Sequence, residues 1–141
     1  MITRDDVANW RVLAVDDHPD SLEVVVLTLE SYGAEVHTAR NGRACLDMLE
    51  SFRPTFVLLD ISMPVMDGWT ALHQMRTDPE LIAIPVIALT AHAMRGDKEE
   101  ILRTGFDHYI SKPFSPMSFL EDLLAVFNDD YALMERIQQR V

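Results

Sequence analysis

Cysteine is almost missing from this sequence. Cys45 is the single one among 141 residues, so no disulfide bond can form within the chain, and a reducing compartment is the expected setting. A catalytic thiol is formally open, but a small apolar side chain on the inner face of a helix is the preferred interpretation of this cysteine. At this length a packed core can hold one compact domain without covalent cross-links.

Basic residues and long apolar runs are also scarce. The chain has 12 lysines and arginines against 23 acids, a formal charge of −11, which argues against a phosphate-binding surface for nucleic acid and against binding to anionic membranes. No apolar run approaches the about 18 residues that would cross a bilayer, and residues 1–9 do not form a secretory signal. We therefore expect a cytoplasmic protein with no nucleic-acid or membrane partner.

Short apolar runs that favour strands alternate five times with amphipathic helical patterns. The predicted strands are residues 11–15, 34–38, 56–60, 84–89 and 108–110. The predicted inner faces of the helices contain Leu22, Val25, Val26 and Leu29, then Cys45, Met48, Leu49 and Phe52, then Trp69, Leu72 and Met75, and at the end Leu120, Leu123, Leu124 and Phe127. Such an alternation predicts an α/β fold, a parallel sheet with helices on both faces.

Two parts of this pattern are weak. The fourth helix, predicted over 91–104, carries few large apolar residues and is expected to be the least anchored one. Residues 128–141 follow the fifth helix, and Leu133, Ile137 and Val141 lie on one helical face there, yet a helix this short is unstable on its own. A frayed extension is the preferred interpretation of this segment, and a docking or self-association helix is the alternative.

A set of polar residues stands at or just after the predicted strand ends. Its members are Asp16 and Asp17 after the first strand, Asp60 at the end of the third, Thr90 after the fourth, and Tyr109 and Lys112 at the fifth. Because the carboxyl ends of parallel strands meet at one edge, where open sheets bind their ligands, we expect these groups to converge. Taken alone, Asp60 is explained equally well as a helix cap in a tight turn or as a reactive acid.

The expected cluster has a chemical interpretation. Three neighbouring carboxylates repel one another, and a hard divalent cation such as Mg²⁺ is the simplest way to keep them ionised together. A lysine and a hydroxyl group complete a site suited to phosphoryl transfer, in which the nucleophile would be a carboxylate. Four of the five histidines lack metal-ligand spacing and are expected at the surface or just outside the site: His18, His37, His73 and His108.

The motifs form an ordered set. In chain order they are Asp16-Asp17, Asp60 with Met63-Pro64 and Asp67-Gly68, Thr90-Ala91, and Tyr109 with Lys112-Pro113. As a set they resemble the receiver domain of two-component response regulators, over the segment 11–127, which leaves residues 1–10 and 128–141 as extensions. The resemblance implies a flavodoxin-like, doubly wound five-stranded parallel sheet in the order 2-1-3-4-5, with five helices in a three-layer α/β/α arrangement.

The resemblance also implies how the phosphoryl group is received. Asp60 would be the phosphoacceptor. Mg²⁺, with Mn²⁺ as an alternative, would be held by Asp17, Asp60 and the backbone carbonyl of Ser62, with Asp16 acting mainly through water. Ser62 and His92, each two residues after a motif position, would line the path of attacking water and so set the lifetime of the phosphoryl group.

The remaining implied roles concern binding and switching. Lys112, Thr90 and Ala91 would bind the phosphoryl oxygens. Thr90 and Tyr109 would move when the phosphoryl group arrives, in a shift between two packings of the same fold. The fourth helix, fifth strand and fifth helix would then form the readout surface and a possible homodimer contact.

The leading functional hypothesis is therefore a phosphorelay signalling module, and not an enzyme in its own right. Its partners would be a sensor histidine kinase or a histidine phosphotransfer protein, and a downstream protein target. Too few residues follow the fifth helix for a DNA-binding output domain, and Met1 favours a stand-alone regulator. The alternative is a receiver fragment of a hybrid histidine kinase or of a longer regulator.

Two other classes of protein fit less well. A haloacid-dehalogenase-type magnesium phosphatase also uses a strand-end aspartate as its nucleophile, but it expects a second acid two residues later, where this chain has Ser62. A flavin or nucleotide carrier of the same topology needs a loop rich in glycine or hydroxyl groups to bind phosphate. The Asp16-Asp17 turn would repel that phosphate.

Overall fold

The computed structural model describes residues 1–91 and 95–141. Its elements are β1 (Arg11–Val15), α1 (Pro19–Ser31), β2 (Glu35–Ala39), α2 (Gly42–Leu49), β3 (Phe56–Asp60), α3 (Gly68–Thr77), β4 (Val86–Thr90), α4 (Arg95–Arg103), β5 (His108–Ser111), α5 (Pro116–Asp129) and α6 (Tyr131–Gln139). A 3-10 helix, Arg4–Asn9, precedes β1. The predicted alternation of strands with five helices is confirmed, and α6 adds to it.

The five strands form one parallel sheet in the order β2-β1-β3-β4-β5. Every position of β3 and β4 is buried, because helices cover both faces of a doubly wound sheet, and this explains the unbroken apolar runs in the sequence. Val86 pairs with Val57 and opens β4 two residues later than predicted, since Pro85 has no N–H to donate to the sheet. The predicted fold class and strand order are confirmed.

The sheet separates two apolar cores. On the face covered by α1 and α5, the rings of Trp10, Phe56 and Phe127 pack edge to face, with centroids 5.2, 5.5 and 5.0 Å apart. On the other face Leu72 and Met75 of α3 pack against the sheet. Among the described helices none is long and apolar enough to cross a membrane.

Helix ends follow from local side-chain chemistry. The side chains of Asn41 and Asp67 cap α2 and α3 by accepting hydrogen bonds from backbone N–H groups three residues later, at 2.8 and 2.9 Å, and Ser115 caps α5 in the same way at 3.2 Å. Gly33 and Gly105 have positive φ values of 98° and 115°, and they end α1 and α4 in the left-handed conformation that glycine adopts most easily. These caps and stops were predictable from residue type.

Both terminal segments pack onto the domain. Ile2 and Val7 are 2% and 0% exposed, and Leu133 and Ile137 of α6 are 2% and 1% exposed, all within the core under α1 and α5. The side chain of Asn128 joins the two ends, since it accepts a hydrogen bond from the Ile2 N–H at 2.7 Å and donates one to the Ile2 carbonyl at 2.8 Å. The preferred prediction of a frayed C-terminal extension is therefore wrong, because its apolar face meets an apolar surface.

The amino edge of the sheet, where the strands begin, is closed by α6. Asp107, the residue before β5, accepts a hydrogen bond from Arg136 of α6 on its Oδ1 at 2.6 Å. Its Oδ2 accepts one from Arg76 of α3 at 3.0 Å and one from the Val86 N–H at 2.8 Å. At the end of α6, Arg140 donates to a backbone carbonyl just before β3 at 2.9 Å. We call Arg76, Asp107 and Arg136 the amino-edge network.

Val65, in the loop after β3, has an unusual backbone conformation for its residue type. Its φ is 68°, and the Met66 N–H donates to the Pro64 carbonyl at 2.7 Å, which closes a three-residue γ-turn around Val65. A β-branched residue is strained at positive φ. The side chain is 83% exposed, so burial does not offset that strain.

Replacing Val65 with glycine is expected to raise the free energy of unfolding by about 1 kcal/mol. Glycine relieves the backbone strain, which is about 1–3 kcal/mol. It also loses more chain entropy on folding, at a cost of about 0.5–1 kcal/mol, and this cost is the smaller of the two effects. Urea denaturation followed by fluorescence measures this difference. Val65→Ala keeps the Cβ atom and serves as the matched control. A glycine variant that is less stable than the alanine variant would contradict the assignment of strain.

Candidate functional site

The first turn of α3 packs against the backbone of Asp60 and Ile61. Asp60 is the last residue of β3 and is 4% exposed. The Gly68 N–H donates to the Ile61 carbonyl at 2.8 Å, and a Cβ atom at position 68 would collide with the Asp60 carbonyl oxygen. The glycine after Asp67 therefore allows α3 to begin directly against the strand end that carries the acid.

The turn after β1 holds two further acids. Asp16 is fully buried, and its Oδ1 accepts a hydrogen bond from the His18 N–H at 2.9 Å, a local turn that is typical of aspartate. The Asp17 side chain is 29% exposed. The predicted convergence of these acids with Asp60 is confirmed: Asp16, Asp17, His18 and Asp60 each offer one ligand atom, and the four atoms lie within 4.8 Å of one another.

Lys112 approaches the acids from the loop after β5. Its side chain is 10% exposed, and its Nζ lies 2.6 Å from Asp16 Oδ2 and 3.7 Å from Asp60 Oδ2. The sequence predicted that this lysine would share one pocket with the acids and lie on its opposite side. The sequence did not predict that Asp16, and not Asp60, is its nearer partner.

The protonation of Asp16 and Asp60 differs because their neighbours differ. Burial is the main cause that raises the pKa of Asp60 to about 7, and the negative charge of Asp16 raises it further, against the opposing effect of Lys112. Burial also acts to raise the pKa of Asp16, but hydrogen bonds from Lys112 and the His18 backbone outweigh it and hold that pKa below its ordinary value. Without a cation, Asp16 therefore carries the negative charge and Asp60 binds a proton easily.

Three more of the predicted residues, Ser62, Thr90 and Ala91, line a cleft of about 970 Å³, which also contains Asp60 and Lys112. Thr90 ends β4 and is 3% exposed, and Ala91 and Ser62 are exposed residues on the wall of the cleft. Tyr109 packs against the core under α2 and α3, and Lys98 Nζ of α4 lies 5.5 Å from its ring centroid. His92, the second residue predicted to tune dephosphorylation, lies outside the described residues.

The acidic cluster fits a divalent cation. Oδ1 of Asp17 and Oδ2 of Asp60 are buried and receive no hydrogen bond from the described residues. Nδ1 of His18 lies 3.1 Å from the first of these oxygens and Nζ of Lys112 lies 3.7 Å from the second, but three neighbouring carboxylates still repel one another, and a divalent cation held between them would reduce that repulsion. Carboxylate oxygens are the ligands that hard cations such as Mg²⁺ prefer, so the donor set matches the predicted metal.

The sequence did not predict how close His18 lies to the three acids. The ring is 63% exposed, as predicted, but its Nδ1 lies 3.0 Å from Asp16 Oδ1, 3.1 Å from Asp17 Oδ1 and 3.8 Å from Asp60 Oδ2. Its position directly after Asp17 was the available signal. The direction of the ring, which depends on the turn around Asp16, was not readable from the sequence.

Comparison with models of protein families matches residues 12–124 to the response regulator receiver domain. This chain belongs to that family. Receiver domains are signalling modules of two-component systems, which agrees with the function predicted from the motifs. The match ends inside α5, so α6 and the N-terminal 3-10 helix of this receiver lie outside it.

Individual relatives agree with the family assignment. The polar-differentiation response regulator DivK of Brucella anthropi is 37% identical over 118 residues, 84% of this receiver and 96% of DivK. The chemotaxis response regulator CheY4 of Vibrio cholerae has a TM-score of 0.76 at 33% identity, over 82% of this chain and 97% of that one. The receiver domain of the sensor histidine kinase PA1611 of Pseudomonas aeruginosa PAO1, solved with a magnesium ion coordinated in the active-site cleft, has a TM-score of 0.72 at 33% identity, over 82% and 94%.

Proposed function

We propose that this receiver accepts a phosphoryl group on Asp60 from a phosphohistidine, in a reaction that depends on Mg²⁺. The donor would be a sensor histidine kinase or a histidine phosphotransfer protein. The observation that carries the proposal is the placement of Asp60 at the end of β3, in an open cleft, with Lys112 Nζ 3.7 Å from its Oδ2 and two more carboxylates beside it.

The chemistry is a displacement at phosphorus. A carboxylate oxygen of Asp60 attacks the phosphorus atom, the new O–P bond forms as the N–P bond of the donor breaks, and the leaving imidazole keeps the electron pair and takes up a proton. Bound Mg²⁺, or Mn²⁺ in its place, would neutralise the charge that accumulates in the pocket. Its ligands would be Asp17, Asp60 and the backbone carbonyl of Ser62, with Asp16 acting through water.

Residues of the cleft would hold the transferred group. Lys112 already stands between Asp16 and Asp60, so it needs only a small movement to pair with a phosphoryl oxygen. The Thr90 hydroxyl and the Ala91 backbone N–H would bind a second oxygen. Ser62 would leave the approach of water fairly open because its side chain is small.

The response would be a change of packing around Thr90 and Tyr109, read out on α4, β5 and α5. Support for a mobile α4 comes from its composition: Ile101 is a buried apolar residue there, while Leu102 is 45% exposed. The same surface would bind a downstream protein or a second copy of the chain. Cytoplasmic location and lack of an activity beyond the protein's own phosphorylation and dephosphorylation belong to the same proposal.

Two biological settings suit this receiver. The match to DivK spans nearly all of that regulator and favours a regulator without a DNA-binding output domain. The likeness to the PA1611 receiver favours the alternative, a receiver within a hybrid kinase. A phosphatase of the haloacid-dehalogenase type is disfavoured, because the exposed Ser62 stands where that class needs an acid.

Incubation of the purified chain with Mg²⁺ and acetyl phosphate tests the proposal. Intact mass spectrometry is expected to show the gain of one phosphoryl group, which hydroxylamine removes because the product is an acyl phosphate. Asp60→Asn should abolish the gain. Asp122→Asn, which removes the same charge from an exposed position of α5, should keep it. A phosphoryl group that persists in Asp60→Asn would place the acceptor elsewhere.

A further inference from the structure

Lys98 of α4 lies beside the ring of Tyr109 in the neighbouring strand β5. Its Nζ is over the ring, 5.5 Å from the centroid, within the about 6 Å over which a cation is attracted to the face of an aromatic ring. Tyr109 is half-buried and packs against the core under α2 and α3. The contact therefore joins a helix with few apolar anchors to a residue whose packing is proposed to change.

Lys98 has no carboxylate partner among the described residues. The side chains three and four positions after it, which share its face of the helix, are the apolar Ile101 and Leu102. The acids of α4 lie one or two positions from Lys98, where helical side chains do not face each other. The attraction between its ammonium group and the Tyr109 ring therefore does not compete with an ion pair in the described part of the chain.

The backbone of Tyr109 is fixed, so the contact acts on the orientation of its ring. Tyr109 pairs with Ala88 of β4, and its N–H donates to Nδ1 of His108 at 2.9 Å. Rotation about the side-chain bonds of Tyr109 would carry the ring away from the Lys98 ammonium group. The packing described is the resting one, because Lys112 is paired with Asp16 at 2.6 Å and not turned toward a phosphoryl oxygen. The contact with Lys98 thus belongs to the resting packing.

We propose that Lys98 is a positioning residue that holds the Tyr109 ring in the resting packing and so opposes the change of packing at the phosphorylation site. The contact stands on geometry, whereas its effect on that change rests on the proposed function of Asp60. A contact made in only one of two packings stabilises that packing, and a ligand that favours the other must overcome it. Loss of the Lys98 charge should therefore tighten the binding of a phosphoryl mimic at Asp60. Coulomb attraction alone predicts the opposite, since removal of a positive charge weakens the binding of an anion.

A double-mutant cycle on the full chain tests the contact. Lys98→Met keeps an apolar stem of similar length and removes the charge, and Tyr109→Leu removes the ring. Urea denaturation is expected to show that the two substitutions are coupled by about two- to fivefold in the unfolding equilibrium constant, the range of an exposed cation–π pair. Lys98→Arg keeps a cation beside the ring and should match the wild type. Additive effects of Lys98→Met and Tyr109→Leu overturn the contact.

Titration with beryllofluoride at saturating Mg²⁺ tests the effect on the change of packing, because this anion mimics a phosphoryl group on a carboxylate. The fluorescence of Trp69, which lines the cleft, reports binding. Lys98→Met is expected to lower the Kd by about two- to fivefold, and Lys98→Arg should keep the wild-type value. Arg103→Met, which removes a positive charge from an exposed position of the same helix, should not lower the Kd. In a Tyr109→Leu background, Lys98→Met should have no effect.

The outcomes separate this inference from the proposed function. If the wild type binds beryllofluoride but Lys98→Met leaves the Kd unchanged or raises it, the role of Lys98 is overturned and Asp60 stands as the acceptor. The same decrease in Kd with and without the Tyr109 ring also overturns that role. If the wild type does not bind beryllofluoride, the proposed function and the effect of Lys98 on it both fail, and coupling in urea would leave a contact that acts on stability alone.

Discussion

Replacing Asp107 with alanine is expected to lower the free energy of unfolding by about 3–5 kcal/mol, because removal of one partner leaves buried charge uncompensated. The Asp107 side chain is 16% exposed and that of Arg76 is 20% exposed, so water replaces the lost partner poorly. The substitution also removes the acceptor of the Val86 N–H at the start of β4. Urea denaturation monitored by the fluorescence of Trp10 measures the loss.

Two further variants separate the effect of the Asp107 charge from other effects of the substitution. Asp107→Asn keeps an acceptor for the Val86 N–H but loses the charge, so its stability should fall between those of the wild type and Asp107→Ala. Asp47→Ala breaks an exposed ion pair with Arg43 within α2 and should cost less than about 0.5 kcal/mol. An Asp107→Ala variant as stable as Asp47→Ala would show that the amino-edge network adds nothing to stability.

In metal-free buffer at pH 8, Asp60→Asn is expected to be more stable than the wild type by about 2–4 kcal/mol. Burial and the charge of Asp16 raise the pKa of Asp60 from 3.8 to about 7. Between those two values the folded state binds more protons than the unfolded state, so this group's contribution to stability falls as the pH rises from about 4 to about 7. Asparagine carries no charge at any pH and avoids the loss.

The pH dependence separates this effect from a general reduction of charge. The advantage of Asp60→Asn over the wild type should shrink at pH 5, where the wild-type carboxyl is protonated. Asp122→Asn removes one negative charge from a chain of formal charge −11 and should show a small advantage that does not change with pH. Saturating Mg²⁺ should stabilise the wild type more than Asp60→Asn. The same advantage at pH 5 and pH 8 would argue against a raised pKa.

The positions of the site residues were predictable because they depend on topology more than on side-chain detail. Asp16, Asp17, Asp60 and Thr90 each end or follow an apolar run, and a parallel sheet places the ends of such runs at one edge. Gly68 was predictable as a helix start. The close approach of its backbone to Asp60 was not, because it depends on how α3 packs.

Features that depend on contacts between residues distant in sequence could not be predicted from the sequence. Nothing in the sequence around Asp107 indicated its role, since its partners Arg76 and Arg136 lie 31 and 29 positions away. Leu133 and Ile137 have helical spacing, but this spacing does not indicate against which surface of the domain their helix packs. A short amphipathic segment is frayed or docked according to the apolar surface available to it, and only the folded domain reveals that surface.

The two edges of the sheet contribute differently to stability. At the carboxyl edge, three acids crowd together and Val65 has a strained backbone conformation, whereas at the amino edge Asp107 joins α3 and α6 through ionic bonds and β4 through the Val86 N–H. Strengthening the amino-edge network should therefore leave the chemistry at the far edge untouched. Substitutions that stabilise the amino-edge network and substitutions that change the acidic cluster should therefore have independent effects on the free energy of unfolding.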